Sequence, residues 1–228
     1  TIMLVLGVLP VLAFSGSPVT VELRGGLFQD LAPSAFHLQQ VVIPILSQMG
    51  LHAAMEIVRP GYVPRGEGIL HLTVKPLTGM LQGIIREEVA PVTRLWGIAV
   101  SSHLEERQVS RRMAEAAQDV LAEAGYQAEI EIRNDTKSPQ RGAALSLFVD
   151  EGEGIRLGAD QAGALRRSAE SIGKHVARQL LDELASGRFS PGEPELFRWI
   201  RDVLIERDEY FVLADFASYL ETQEQASR

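Results

Sequence analysis

PVTRLWGIAVSSHLEERQVSRRMAEAAQDVLAEAGYQAEIEIRN, residues 91–134, holds a change of period twice over. Residues 91–102 form an apolar run of the kind that makes a buried strand. Ser102 and Glu105 then stand three apart, the spacing of a capping box that satisfies amides at a helix start. From there the pattern is helical to about Ala124, with Gly125 as a stop. Residues 127–134 alternate again, Ile130 and Ile132 against Glu129, Glu131 and Arg133. This stretch therefore predicts strand, helix, strand.

The pattern repeats upstream. In residues 19–24, Val19, Val21 and Leu23 alternate with Thr20, Glu22 and Arg24, and Gly25 and Gly26 end the run. Residues 27–34 read as a loop. From Ala35 the apolar residues Leu38, Val41, Val42, Ile45, Leu46 and Met49 recur at helical spacing, with Gly50 as C-cap. Residues 52–77 read as strand, Gly/Pro hairpin, strand, with Leu70, Leu72 and Val74 on one face and His71, Thr73 and Lys75 on the other. The run from Ile2 to Phe14 is apolar, lacks a basic flank and contains Pro10. It is shorter than the roughly 20 residues a bilayer requires and predicts a buried helix.

Downstream, residues 135–142 are turn-rich, 143–150 form a strand and 151–154 turn the chain. A long helix is expected from about Ala164 to Gly187, with Ile172, Val176, Leu180, Leu181 and Leu184 as its stripe. Beyond it, short helices are expected at about 194–206 and from Asp215. Alternating helices and strands put the chain in the α/β or α+β class.

The chain has 228 residues, 46% hydrophobic and 23% charged, enough for one large domain or two small ones. Its net charge is −8. That disfavours sequence-independent polyanion binding but leaves room for a local phosphate pocket. It has no cysteine, which excludes disulfides, cysteine zinc sites and thiol catalysis. None of the five histidines sits four from another, and HExxH, GxGxxG and the P-loop pattern are absent. No metal site is expected. Glu105, Glu106, Glu115 and Glu123 read as a solvated helix face, Trp96 as core, and His71 and His103 as surface residues. RGEG (65–68) reads as a hairpin turn. RGG (24–26), followed by Ala32 and Pro33, is less ordinary: two glycines let the backbone approach a ligand or another strand closely, and the loop leads to a helix start that favours anions.

Together these stretches resemble the RNA 3′-terminal phosphate cyclase family over about residues 1–187. The resemblance rests on TIMLVLGVLPVLAF, VELRGGLFQDLAPSAF, RPGYVPRGEG, GIAVSSHLEERQVSRRM and LRRSAESIGKHVARQLLDELASG, in that order. It implies a cyclase-type fold of repeated α/β units with an inserted thioredoxin-like small domain. Residues 1–84 would be a partial large domain, 85–187 the insert and 188–228 a helical tail. The family is a cytoplasmic ATP-dependent ligase that converts an RNA 3′-phosphate to a 2′,3′-cyclic phosphate through a histidine–AMP intermediate with a divalent ion. Adenylation supplies a leaving group, and the adjacent 2′-OH then attacks at high effective concentration. The resemblance thus implies ATP and Mg as cofactors and an RNA 3′-end as partner, with no DNA and no membrane.

Residue by residue, the resemblance places nucleotide contacts at Pro33, Gly25 and Gly26. It places no catalytic residue: the family's nucleophilic histidine lies near its C-terminus, and none follows His175. Gly7 stands where the family has a nucleotide-contacting glutamine, and Leu27 where it has threonine. The basic N-terminal region and the Asp-Gln segment are not found. The expectation is a truncated, inactive piece of the enzyme. The alternatives are a non-catalytic scaffold that binds RNA or protein, or a chimera. The chimera follows from the tail, where ELASGRFSPGEPELFRWIRDVLIERDEYFVLADFASYLETQEQASR resembles the C-terminal part of glycogen phosphorylases without their pyridoxal phosphate lysine.

Overall fold

A computed structural model describes residues 1–30, 32–84, 91–152 and 155–186. Gly187 and the two expected tail helices lie outside the described residues. The class is α+β: two sheets share the described residues with α-helices and two short non-α turns.

The first layer begins with α1 (Ile2–Ala13), the apolar opening run. Ile2, Val5, Leu6, Leu9 and Ala13 face inward, as five positions of a single helical stripe should. Next come β1 (Val19–Gly25), β2 (Ala53–Arg59) and β3 (Gly68–Val74), antiparallel in the order β1-β3-β2. Leu70, Leu72 and Val74 are fully buried beneath α1 and the helices described next, because the pleat turns every second residue to the core. The opposite face is polar. His71 Nε2 lies 3.2 Å from Glu22 Oε2, and Thr20 and Thr73 share a hydroxyl hydrogen bond of 2.9 Å.

The helical run after residue 34 has three consecutive parts: α2 (Ala35–His37), a π-helical turn (Leu38–Val42) and α3 (Ile43–Gln48). The irregularity has a cause in the sequence. Pro44 has no N–H to give the carbonyl of Gln40, four residues back. Arg156 Nη1 donates to that carbonyl at 3.2 Å instead.

The second sheet contains β4 (Val92–Ser102), β5 (Glu129–Asp135), β6 (Gly142–Glu151) and β7 (Ile155–Ala162), in the order β5-β4-β6-β7. β4 and β5 are parallel, with α4 (Val109–Glu123) as the crossover between them; the other pairs are antiparallel. α4 and α5 (Ala169–Ser186) cover one face, and α2–α3 cover the other through Ile98, Val100, Phe148 and Ala162. Both faces are thus buried, which accounts for the continuous rather than alternating apolar character of β4 and β6. α5 meets α4 at Gly173, where a side-chain carbon would collide with the Met113 carbonyl.

Three expectations are corrected. Ser102 does not cap a helix: it is the last residue of β4, and α4 starts only at Val109 after a 3₁₀ turn (Glu105–Arg107) and the left-handed residue Gln108. α5 begins at Ala169 rather than near residue 164. β7 was not anticipated. Its small residues Gly158 and Ala159 are buried with Leu157, so it carries neither a clear alternation nor a long apolar run.

Candidate functional site

Gly25 and Gly26 end β1 against the hairpin that joins β2 to β3. Gly25 pairs with Gly68 and has φ +148°, a conformation that disfavours a side chain. A Cβ at Gly61 would lie 2.5 Å from Gly25 O and 2.5 Å from Gly68 Cα. A Cβ at Gly66 would lie 2.9 Å from Gly26 N. Gly61 O accepts from both Leu27 N (2.9 Å) and Phe28 N (3.0 Å). The hairpin glycines Gly61, Gly66 and Gly68 therefore let the hairpin backbone meet the RGG backbone, while a Cβ at Gly25 itself would meet the Thr1 side chain and one at Gly26 the Gln29 side chain. This knot fixes the start of the 27–34 loop, and Phe28 secures it by packing on Phe36 (5.0 Å) and Tyr62 (5.6 Å).

Pro33 is half-buried at the far end of the same loop, directly before Ser34. Ser34 is the N-cap of α2: its Oγ accepts from His37 N at 3.1 Å, and Ala35 N donates to Leu27 O at 3.0 Å. Ser34 N donates to Asp160 Oδ2 (3.3 Å), which also lies 3.3 Å from His37 Nδ1. An anion does stand at this helix start, but it is the protein's own carboxylate, from β7. Arg167 adds a bidentate pair to Asp30 at 3.0 Å on both arms. The Gly-Gly to Ala-Pro loop is thus pinned by the hairpin at one end and by the second sheet at the other.

A second polar cluster joins the hairpin to the second sheet. Ser102 Oγ donates to Asp135 Oδ2 at 2.7 Å, which uses its one proton. Tyr62 therefore donates to Ser102 Oγ, 3.0 Å away. Burial pushes the Tyr62 hydroxyl well above its ordinary value, against the opposing bond to Ser102 and with the Asp135 charge adding to the rise, so it remains a donor. Asp135 also accepts Ser138 N (2.9 Å) and Lys137 N (3.2 Å). Gln140 Nε2 donates to Tyr62 O, and Arg65 N donates to Gln140 Oε1 at 3.3 Å. The Tyr62 ring occupies the space a side chain at Gly142 would need. Sequence reasoning missed Ser102 and Asp135 because their partner Tyr62 lies far along the chain.

His37 is buried beside Asp160; His52 Nδ1 lies 2.9 Å from Ser47 Oγ; His71 meets Glu22; His103 Nε2 lies 2.6 Å from Ser138 O; His175 is exposed on α5. Glu105, Glu106, Glu115 and Glu123 are exposed, as the sequence suggests, and Trp96 packs at the edge of the core on Phe148 at 4.7 Å. Among the described residues no three histidine, aspartate or glutamate side chains converge into an all-protein metal cage. No helix among them is long and apolar enough to cross a membrane.

Residues 87–185 match the family model described as RNA 3′-terminal phosphate cyclase, insert domain. Residues 149–228 match the one described as carbohydrate phosphorylase. The RNA 3′-terminal phosphate cyclase of Staphylothermus marinus is 34% identical over 194 residues, covering 82% of this chain and 54% of that protein. The one from Methanothermobacter thermautotrophicus is 35% identical, covering 77% of this chain and 50% of that protein. The one from Caldivirga maquilingensis is 33% identical, covering 78% and 51%. The chain spans about half the length of the curated relatives it matches. The two family models overlap over residues 149–185. The structure builds the described part of that overlap into the second sheet: β7 pairs with β6 and α5 lies on α4.

Proposed function

Residues 1 to about 187 are RNA 3′-terminal phosphate cyclase-like, and from that premise we propose that this chain is a cyclase-type scaffold that recognises a 3′-phosphorylated RNA end. The observation that carries the reading is the likeness across both sheets, which extends over 82% of the chain at 34% identity. Residues 1–84 act as the partial large domain and 85–187 as its insert, with a phosphorylase-like tail after them.

In this reading the half-buried Pro33 offers its ring to an adenine base, while Gly25 and Gly26 set the path of the loop that carries it. ATP is the nucleotide the family likeness suggests. The hairpin backbone packs against Gly25 and Gly26, and all three positions are half-buried. The 228 residues alone do not take up AMP. The family likeness assigns the nucleophile's role to none of the five histidines.

Titrating a short fluorescent RNA that bears either a 3′-phosphate or a 3′-hydroxyl tests the reading. We expect tighter binding of the phosphorylated end. Equal affinity for the two ends would overturn specific end recognition.

A further inference from the structure

The hairpin 61–66 and the loop 135–142 come from different sheets, yet they are built into one rigid unit. Gln140 reaches across to Tyr62 O and to Arg65 N. Tyr62 reaches back to Ser102, and through it to Asp135, which holds its own loop by the amides of Lys137 and Ser138. Three cations, Arg65, Lys137 and Arg141, project from this unit and are exposed. Several other cations are neutralised: Arg24, Arg94, Arg112, Arg133, Arg156 and Arg167 each sit within 3.1 Å of a carboxylate, while Arg111, Lys174 and Arg178 on α4 and α5 are exposed like the loop cations but lack a support that joins the two sheets. Arg65, Lys137 and Arg141 pair with no carboxylate of the described residues. The acids of these two loops are the exposed Glu67 in the hairpin and Asp135, which is already committed to Ser102 and two amides.

We propose that this joint is a platform for the phosphate backbone of a single RNA strand, upstream of the end that the chain recognises. The inference rests on the RNA reading above and adds the surface that holds the strand. Three unpaired cations on a preorganised support lose little side-chain partnership when phosphates arrive, and each contact releases counterions. In a chain of net charge −8, such a local excess also selects where a polyanion can land.

The test compares two triple variants of the full chain with the same charge change. One is Arg65→Glu, Lys137→Glu, Arg141→Glu. The other is Arg111→Glu, Lys174→Glu, Arg178→Glu, on exposed positions of α4 and α5. Binding of a 3′-phosphorylated single-stranded RNA is measured across a salt series, with thermal unfolding as the folding control. We expect the loop variant to bind about tenfold or more weakly, and its salt slope to fall by about 2, since each single-strand phosphate contact contributes about 0.7. The helix variant should keep the parent slope. Equal weakening and equal slopes in the two variants overturn the platform. A parent that prefers the 3′-phosphate while the loop variant binds as tightly overturns the platform alone. A parent that binds neither RNA end overturns both the platform and the end-recognition reading.

Discussion

Replacing Gly61 by alanine tests whether the glycine knot is a packing device. The new Cβ would lie 2.5 Å from Gly25 O and from Gly68 Cα, both backbone atoms, where real contacts hold to at least 3.0 Å. Gly68 N stands closer still, so the hairpin must retreat by more than about 0.5 Å at a place where no side chain can rotate away. Two effects add. Overpacking of this kind costs about 1–3 kcal/mol. The retreat also stretches the bonds from Leu27 N and Phe28 N to Gly61 O, each worth about 1 kcal/mol. The expected loss is about 2–4 kcal/mol, or a fall in Tm of about 5–15 °C for a chain of this size. Urea and thermal unfolding of Gly61→Ala read it directly, with Gly79→Ala, whose Cβ meets open space, as the matched control. If Gly61→Ala is as stable as the parent, the glycines are not there for backbone contact and the knot explanation fails.

Other expectations follow from single contacts. Phe28→Ala empties a buried site between Phe36 and Tyr62, and should cost about 3–5 kcal/mol in urea unfolding. Arg156→Ala removes the donor to the Gln40 carbonyl and the partner of Asp150, and should cost about 1–3 kcal/mol by the same measurement. Glu170 is held down to about 2, from 4.5, chiefly by its hydrogen bond from Arg112, with its own backbone bond next. A depressed carboxylate stabilises the fold above its unfolded value, so this contribution is complete above about pH 4.5 and is lost as pH falls toward 2. In Arg112→Ala, carboxyl NMR titration should find Glu170 shifted up toward 4.5; an unmoved titration would exclude the pair as the cause.

The elements most legible in the sequence are those with one dry face. β1 and β3 show their alternation residue by residue, and the stripe from Leu38 to Met49 identifies a helical run correctly. The π turn inside that run was not legible as such, although Pro44 forces some departure from an α-helix. β7 was missed because Gly158 and Ala159 are buried by smallness rather than by an apolar pattern. Ser102 was misassigned because a serine three residues before a glutamate satisfies the capping rule as well at a strand end as at a helix start. For the site, RGG and Ala-Pro were visible as an unusual loop, and close approach to another strand was one of its two readings. What they approach was not visible: Gly61, Gly66 and Gly68 lie in the hairpin, and Asp160 lies 126 residues beyond Ser34. Such contacts are set by the packing of two sheets, and no local pattern records them.

The account stands most directly on one incubation. The 228-residue chain is mixed with magnesium and ATP labelled in the α-phosphate, with and without 3′-phosphorylated RNA, and resolved on a denaturing gel. The account predicts no label on the protein and no cyclic end on the RNA, because the family likeness assigns the nucleophile's role to none of its five histidines. A stable AMP adduct on the protein would contradict it.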